Sequence, residues 1–148
     1  TIVRIVDAGA PITITLRAGT VLSLCKSATG RAFAAFFRSP FLKPMLDDEL
    51  REAAEATKTA VTTIRRQLEK TLTEIREHGI SRATGSLTPG INGFSAPVFD
   101  HSGRMVAAIT SLGAVGEFNV EWDSPVAKAM LAAADKLSQR LGYKATAE

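Results

Sequence analysis

Apolar and polar residues alternate strictly over Ile12-Thr-Ile-Thr-Leu-Arg17, which puts Ile12, Ile14 and Leu16 on one face of a half-buried strand. Upstream, Ile2-Val-Arg-Ile-Val-Asp7 is rich in β-branched residues and predicts a second strand. Ala8-Gly9-Ala10-Pro11 carry turn chemistry between them, so the two read as a hairpin. Ala18-Gly19 break it, and Thr20 to Leu24 form a short extended piece. The period then changes. Ser27-Ala-Thr-Gly-Arg-Ala-Phe-Ala-Ala-Phe-Phe37 predicts a helix with Ser27 at its N-cap, ended by Ser39-Pro40. Gly30 stands in its first turn, where a helix former is expected, and points to close backbone approach or to packing.

Residues 47–78 are the longest helical stretch. Leu50, Ala54, Val61, Ile64, Leu68, Leu72 and Ile75 share one face, and Arg66, Lys70, Glu74 and Glu77 lie opposite. Asp47 or Asp48 is the expected cap, with the Asp47-Asp48-Glu49 run offsetting the helix dipole, and Gly79 suits the left-handed position past the end. Threonines 57, 59, 62 and 63 are poor mid-helix residues, so one helix and two helices broken near Thr57–Thr59 both stay open. Ile80 to Thr84 predicts a short strand, and Gly85 to Gly93 a loop. Phe94 to Asp100 and Arg104 to Leu112 predict a hairpin turning at Asp100-His101-Ser102-Gly103, with Pro97 at an edge or bulge. After a loop at 113–118, Ser124-Pro125 opens a last helix with Val126, Met130, Ala133, Leu137 and Leu141 on one face, closed by Gly142. Strands grouped in hairpins, separate from the helices, define an α+β fold: an antiparallel sheet flanked by helices.

Composition narrows the reading. At 148 residues with 45% hydrophobic and 22% charged residues, the chain is one globular domain. The lone Cys25 excludes an intrachain disulfide and a cysteine-rich zinc site. No apolar run is long enough to cross a bilayer, and no signal peptide is evident, so a cytoplasmic location is expected. The net charge of +3 is dispersed, without the clustering of a nucleic-acid surface.

Catalytic chemistry is not indicated. Cys25 would need His78 or His101, and both histidines occupy helix-end or turn positions. No cofactor fingerprint and no metal-ligand spacing occurs. One segment does carry chemistry. Cys25 to Arg31 runs from an extended piece into a helix, so the N–H groups of Ala28, Thr29 and Gly30 are placed to hold a carboxylate. An ordinary serine-capped helix explains the same residues.

Five segments then recur together: Gly19-Thr-Val-Leu-Ser-Leu24, Ser27-Ala-Thr-Gly-Arg-Ala32, Ile75-Arg-Glu-His-Gly-Ile80, Pro89-Gly-Ile-Asn-Gly-Phe-Ser-Ala-Pro-Val-Phe-Asp-His-Ser-Gly103 and Ala107-Ala-Ile-Thr-Ser-Leu-Gly113. In this order they resemble the effector-binding domain of IclR-family transcriptional regulators, over essentially the whole chain. The resemblance implies a GAF/PAS-like (profilin-like) domain that senses a small organic effector and forms a homodimer or homotetramer. It also implies that DNA is bound only through an N-terminal winged helix-turn-helix domain, absent from these residues, with residues 1–148 forming the effector-binding domain. No membrane, metal, cofactor or catalytic role is implied.

Positions 83, 93, 110 and 112 match pocket-lining positions of the family. Here they are Ala83, Gly93, Thr110 and Leu112, and only Thr110 keeps a hydroxyl. That departure points to an effector more apolar than glyoxylate or pyruvate, a carboxylate with an aromatic body. The expected site lies between the helix start at Ser27–Gly30 and the strands around Asn92–Ser95 and Thr110–Leu112; it joins the N–H groups of Ala28 and Thr29 to the side chains of Asn92 and Thr110, with Ile14, Leu22, Leu24 and Leu112 as an apolar wall. Two alternatives stand beside it: a GAF-like sensor or small enzyme domain of another family, and a dimerisation module without ligand. The last would show the space between the sheet and loop 85–93 filled.

Overall fold

The computed structural model of the chain describes residues 1–6, 9 and 16–144. Its elements run α1 (Ala28–Phe36), α2 (Leu42–Thr57), α3 (Val61–His78), β1 (Ser81–Thr84), β2 (Ile91–Phe99), β3 (Met105–Ala114) and α4 (Pro125–Arg140). The strands form an antiparallel sheet in the order β1-β2-β3. Helix α1 crosses one face of the sheet, with α3 and then α2 packed outside it, and α4 covers the other face. This is the α+β architecture the hairpin grouping implies.

Two apolar clusters hold the layers. Phe94, Ala96 and Val98 alternate along β2 and meet Ala127, Met130 and Ala134 of α4. Leu50 of α2 and Leu68, Leu72 and Ile75 of α3 close the second cluster against Ala34, Ala35 and Phe36 of α1. Full burial of side chains this size stabilises by ~1.5–3 kcal/mol each. The apolar stripe of α2 and α3 is therefore consumed inside the chain. On α4 the buried face is Ala127, Met130, Ala134 and Ser138, whereas Ala133 and Leu141 of the expected stripe are exposed. Ser138 explains the rotation: its hydroxyl accepts from Phe99 N at 3.0 Å and donates to Ala134 O at 2.8 Å, so a polar residue sits satisfied at the sheet.

The stretch 47–78 is two helices. Lys58 is left-handed at φ 50°, and its N–H caps α2 through Ala54 O and Glu55 O. Helix α2 begins at Leu42, so Asp47 and Asp48 are not its cap; Asp47 lies mid-helix and pairs with Arg65 of α3 at 2.8 Å. A non-glycine residue at this φ carries strain, so Lys58→Gly is expected to stabilise the fold by about 1 kcal/mol in urea unfolding. No gain in midpoint would contradict that.

The strands are longer than the turn residues suggest. β2 starts at Ile91, inside the expected loop, and β3 runs on to Ala114. Both extensions follow from cross-strand pairs that glycine permits, Asn92 opposite Gly113 and Gly93 opposite Leu112. Pro97 pairs only with Ala108 of β3, because β1 ends its pairing at Ser95, and a bulge follows at Val98/Phe99. The expected hairpin at the start differs. Residues 2–6 are not in a strand, and Val3 and Val6 are largely exposed; Ile2 instead exchanges backbone bonds with Thr20 and Gly19. Most of the expected partner at 12–17, with Ile12 and Ile14, lies outside the described residues.

Candidate functional site

Ser27 caps α1 as its residue type predicts, its hydroxyl accepting from Gly30 N at 2.8 Å. The cap leaves the N–H groups of Ala28 and Thr29 without a carbonyl acceptor from the neighbouring loops. Gly30 lets the helix start press onto the preceding segment: a Cβ there would collide with Ser23 O and stand 2.6 Å from Leu24 Cα. That segment is tied down from α2. The Glu49 carboxylate accepts from Ser23 Oγ at 2.6 Å, Leu24 N at 2.8 Å and Cys25 N at 3.0 Å. Burial alone would raise the Glu49 carboxyl, but these bonds outweigh it and hold it below its ordinary value. Glu49 thus fixes the segment leading into α1, where the sequence reading gave it only a dipole role.

Beneath α1 the sheet presents a row of hydroxyls. Thr110 Oγ1 lies 2.7 Å from Thr29 Oγ1 and 2.9 Å from Ser95 Oγ. Ser95 pairs across to Ser81 of β1, whose side-chain oxygen is buried without a hydrogen-bond partner. One row along, Ala83, Gly93 and Leu112 are aligned, and Leu112 Cδ2 stands 2.5 Å from where a Gly93 Cβ would be. Leu112 therefore lies over the bare backbone of Gly93.

The fold brings Thr29, Ala83, Gly93, Thr110 and Leu112 together on the α1 side, with Ala28 buried in the first turn of α1. It does not bring Asn92 there. Asn92 shares the parity of Phe94, faces the α4 side and donates to Phe118 O at 3.3 Å. Leu24 is buried and Leu22 half-buried in the tied segment, and Ile14 lies outside the described residues. Ser81 was missed, and Ser95 enters the expected site only as the end of the Asn92–Ser95 span, with no role of its own. The pairing of Ser81 with Ser95 across β1 and β2 is what brings both to the row.

Cys25 is poorly suited to nucleophilic work. Burial, then the Glu49 carboxylate, pushes its thiol up to about 11, so it stays protonated at neutral pH. His78 stacks on Trp122, 4.3 Å between ring centroids, and Arg82 lies 4.0 Å over the same indole. Among the described residues no cluster of three or more metal-ligating side chains occurs, and no helix is long and apolar enough to cross a membrane.

The arrangement is that of an α+β domain with one helix on each face of an antiparallel sheet. Residues 1–139 match the family described as the bacterial transcriptional regulator IclR C-terminal domain, and the chain belongs to that family. It is 29% identical over 139 residues to the uncharacterized HTH-type transcriptional regulator RhmR of Escherichia coli K12, covering 94% of this chain and 52% of the relative. Pseudomonas aeruginosa HmgR has a similar crystal structure, with TM-score 0.81 and 33% identity, over 97% of this chain and 55% of that one. Thermotoga maritima IclR follows at TM-score 0.72 and 26% identity, over 93% and 55%. The chain thus spans about half the length of these relatives. The family is one of transcriptional regulators, not of enzymes.

Proposed function

We propose that the chain is the effector-sensing and oligomerisation domain of a one-component regulator. Its ligand is a small carboxylate with an apolar, aromatic body, held between the start of α1 and the Thr110–Leu112 end of β3. The observation that carries the reading is the hydroxyl row: Thr29, Thr110 and Ser95 are bonded in series, and Ser81 next to Ser95 is buried and unpartnered. A buried hydroxyl without a partner costs ~1–3 kcal/mol, which a ligand or a bridging water relieves. The N–H groups of Ala28 and Thr29 and the α1 dipole favour the carboxylate there. Binding replaces the Thr29–Thr110 bond and swings Leu112 off Gly93. Contact with DNA belongs to a winged helix-turn-helix domain in the other half of the regulator.

A thermal-shift screen of small carboxylates and aromatic acids tests this directly, since a ligand at ~100 times its Kd stabilises by roughly 2.7 kcal/mol. For a hit, Thr110→Val keeps the shape, removes the hydroxyl's bond to the ligand and is expected to weaken binding about fivefold. Unchanged affinity would count against the site.

One observation favours a second reading, a dimerisation module without ligand: Leu112 fills the space over Gly93. Under either reading the chain self-associates. Phe41, Met45 and Phe37 remain exposed around the α1–α2 junction, while the α2–α3 stripe is used internally. Sedimentation is expected to show a homodimer, with the homotetramer belonging to the full-length regulator. Monomer alone at high concentration contradicts the proposal.

A further inference from the structure

On α1, Arg31 lies two residues past Thr29, about 200° around the helix and so on its other side. Its Nε donates to Cys25 O at 2.7 Å and its Nη1 to Arg82 O at 3.4 Å. Both partners are neutral carbonyls. The ion pairs among the described residues are Arg51–Asp48, Arg65–Asp47 and Arg104–Asp100, so the half-buried Arg31 guanidinium has no carboxylate, and its Nη2 makes no hydrogen bond. Glu49 of α2 is already engaged by Ser23, Leu24 and Cys25.

Arg31 lines a cavity of about 160 Å³ between the 23–26 segment, α2 and α3. Leu50, Ile64 and Leu68 give it apolar walls, Gln67 and Thr71 stand one turn apart on α3, and Cys25 also lines it. Thr71 Oγ1 donates to the Gln67 backbone carbonyl, and the exposed Gln67 side-chain amide makes no hydrogen bond of its own among the described residues. A cavity of this order holds a molecule of roughly benzene size. Burial lowers the Arg31 pKa, the direction expected of a cation lacking a counter-ion.

We infer that this cavity is a second ligand site, separate from the hydroxyl row, that takes a short-chain aliphatic monocarboxylate with Arg31 as the anion anchor. The guanidinium holds the carboxylate, the Gln67 amide adds a donor, and the alkyl chain lies on Leu50, Ile64 and Leu68. A charge-assisted bond at a half-buried site makes the carboxylate preferred over its neutral amide by roughly tenfold or more.

The test titrates the chain with butyrate and with butyramide, reading backbone amide shifts. Saturable changes at Gln67, Leu68 and Thr71 with butyrate, at least tenfold weaker with butyramide, are expected. Arg31→Met is expected to abolish them. Because that change also removes the bond to Cys25 O, Thr71→Met is the second variant: it fills the cavity from α3 with a better helix former and leaves Arg31 in place. A folded Thr71→Met chain that no longer binds butyrate supports the site. Cys25 alkylation at pH 9 supplies an independent readout, slowed by butyrate and not by butyramide. Equal response to the two probes, wild-type affinity in Thr71→Met, or shifts confined to Thr29, Ser95 and Thr110 would overturn the assignment.

Discussion

Gly30→Ala is expected to destabilise the chain by at least 2 kcal/mol, roughly a 4–8 °C fall in Tm for a domain of this size. Alanine is the better helix former by about 1 kcal/mol, so helix propensity alone predicts the opposite sign. Sterics decide it. The added methyl would meet Ser23 O and Leu24 Cα, both backbone atoms, and no side chain can turn aside. The 23–26 segment must shift away from α1, breaking the Ser27 cap and straining the Glu49 bonds at the same place. Overpacking of this kind costs up to about 3 kcal/mol and occasionally more. Thermal unfolding followed by circular dichroism gives the answer, and an unchanged or raised Tm would show that the segment is not pressed against α1.

Glu49→Ala is expected to cost about 2–3 kcal/mol. Three hydrogen bonds to one carboxylate are lost, and charge-assisted bonds are worth ~1.5–3 kcal/mol each when buried. Partial exposure of Glu49 brings the sum down. The loss is pH-dependent. The folded-state pKa of Glu49 is depressed, so its contribution is fully present above the ordinary value of 4.5 and disappears as pH falls through the folded value. The gap between wild type and Glu49→Gln in urea unfolding is therefore expected to be large at pH 7 and to shrink by pH 3. Asp100 behaves similarly. The Ser102 hydroxyl first, then backbone N–H groups of Arg104 and Ser102, hold it down at about 2, so its share is lost only as pH falls through about 2. A variant within 0.5 kcal/mol of wild type, a spread typical of neutral surface changes, or a gap independent of pH, would contradict the role given to Glu49.

Where the sequence was legible, a residue type met a local geometric demand. Ser27 and Ser124-Pro125 mark helix starts that the structure keeps, and of the two roles open to Gly30, backbone approach and packing, the structure shows the first. The α2–α3 stripe was readable because Leu50, Val61, Ile64, Leu68, Leu72 and Ile75 all face one core. The misreadings share a cause. Asp47 and Asp48 look like caps, but α2 starts earlier, at Leu42, with Pro44 in its first turn, and Asp47 pairs mid-helix with Arg65 of α3. Gly90 to Gly93 looks like loop, yet glycine at 93 is there to admit Leu112, a demand set by a strand nineteen residues away. Asn92 was drawn to the site by its polarity. Alternation in β2 sends it to the other face, where Phe118 O takes its amide.

The same alternation gives the central claim its sharpest test. The two faces of β2 can be told apart residue by residue, with Gly93 and Ser95 on the α1 side and Asn92 and Phe94 on the α4 side. Amide shift mapping of the chain with the best carboxylate hit reads both faces at once. The largest changes are expected at Ala28, Thr29, Gly93, Ser95, Thr110 and Leu112. Changes centred instead on Asn92, Phe118 and α4 would place the effector on the wrong side of the sheet and contradict the assigned site.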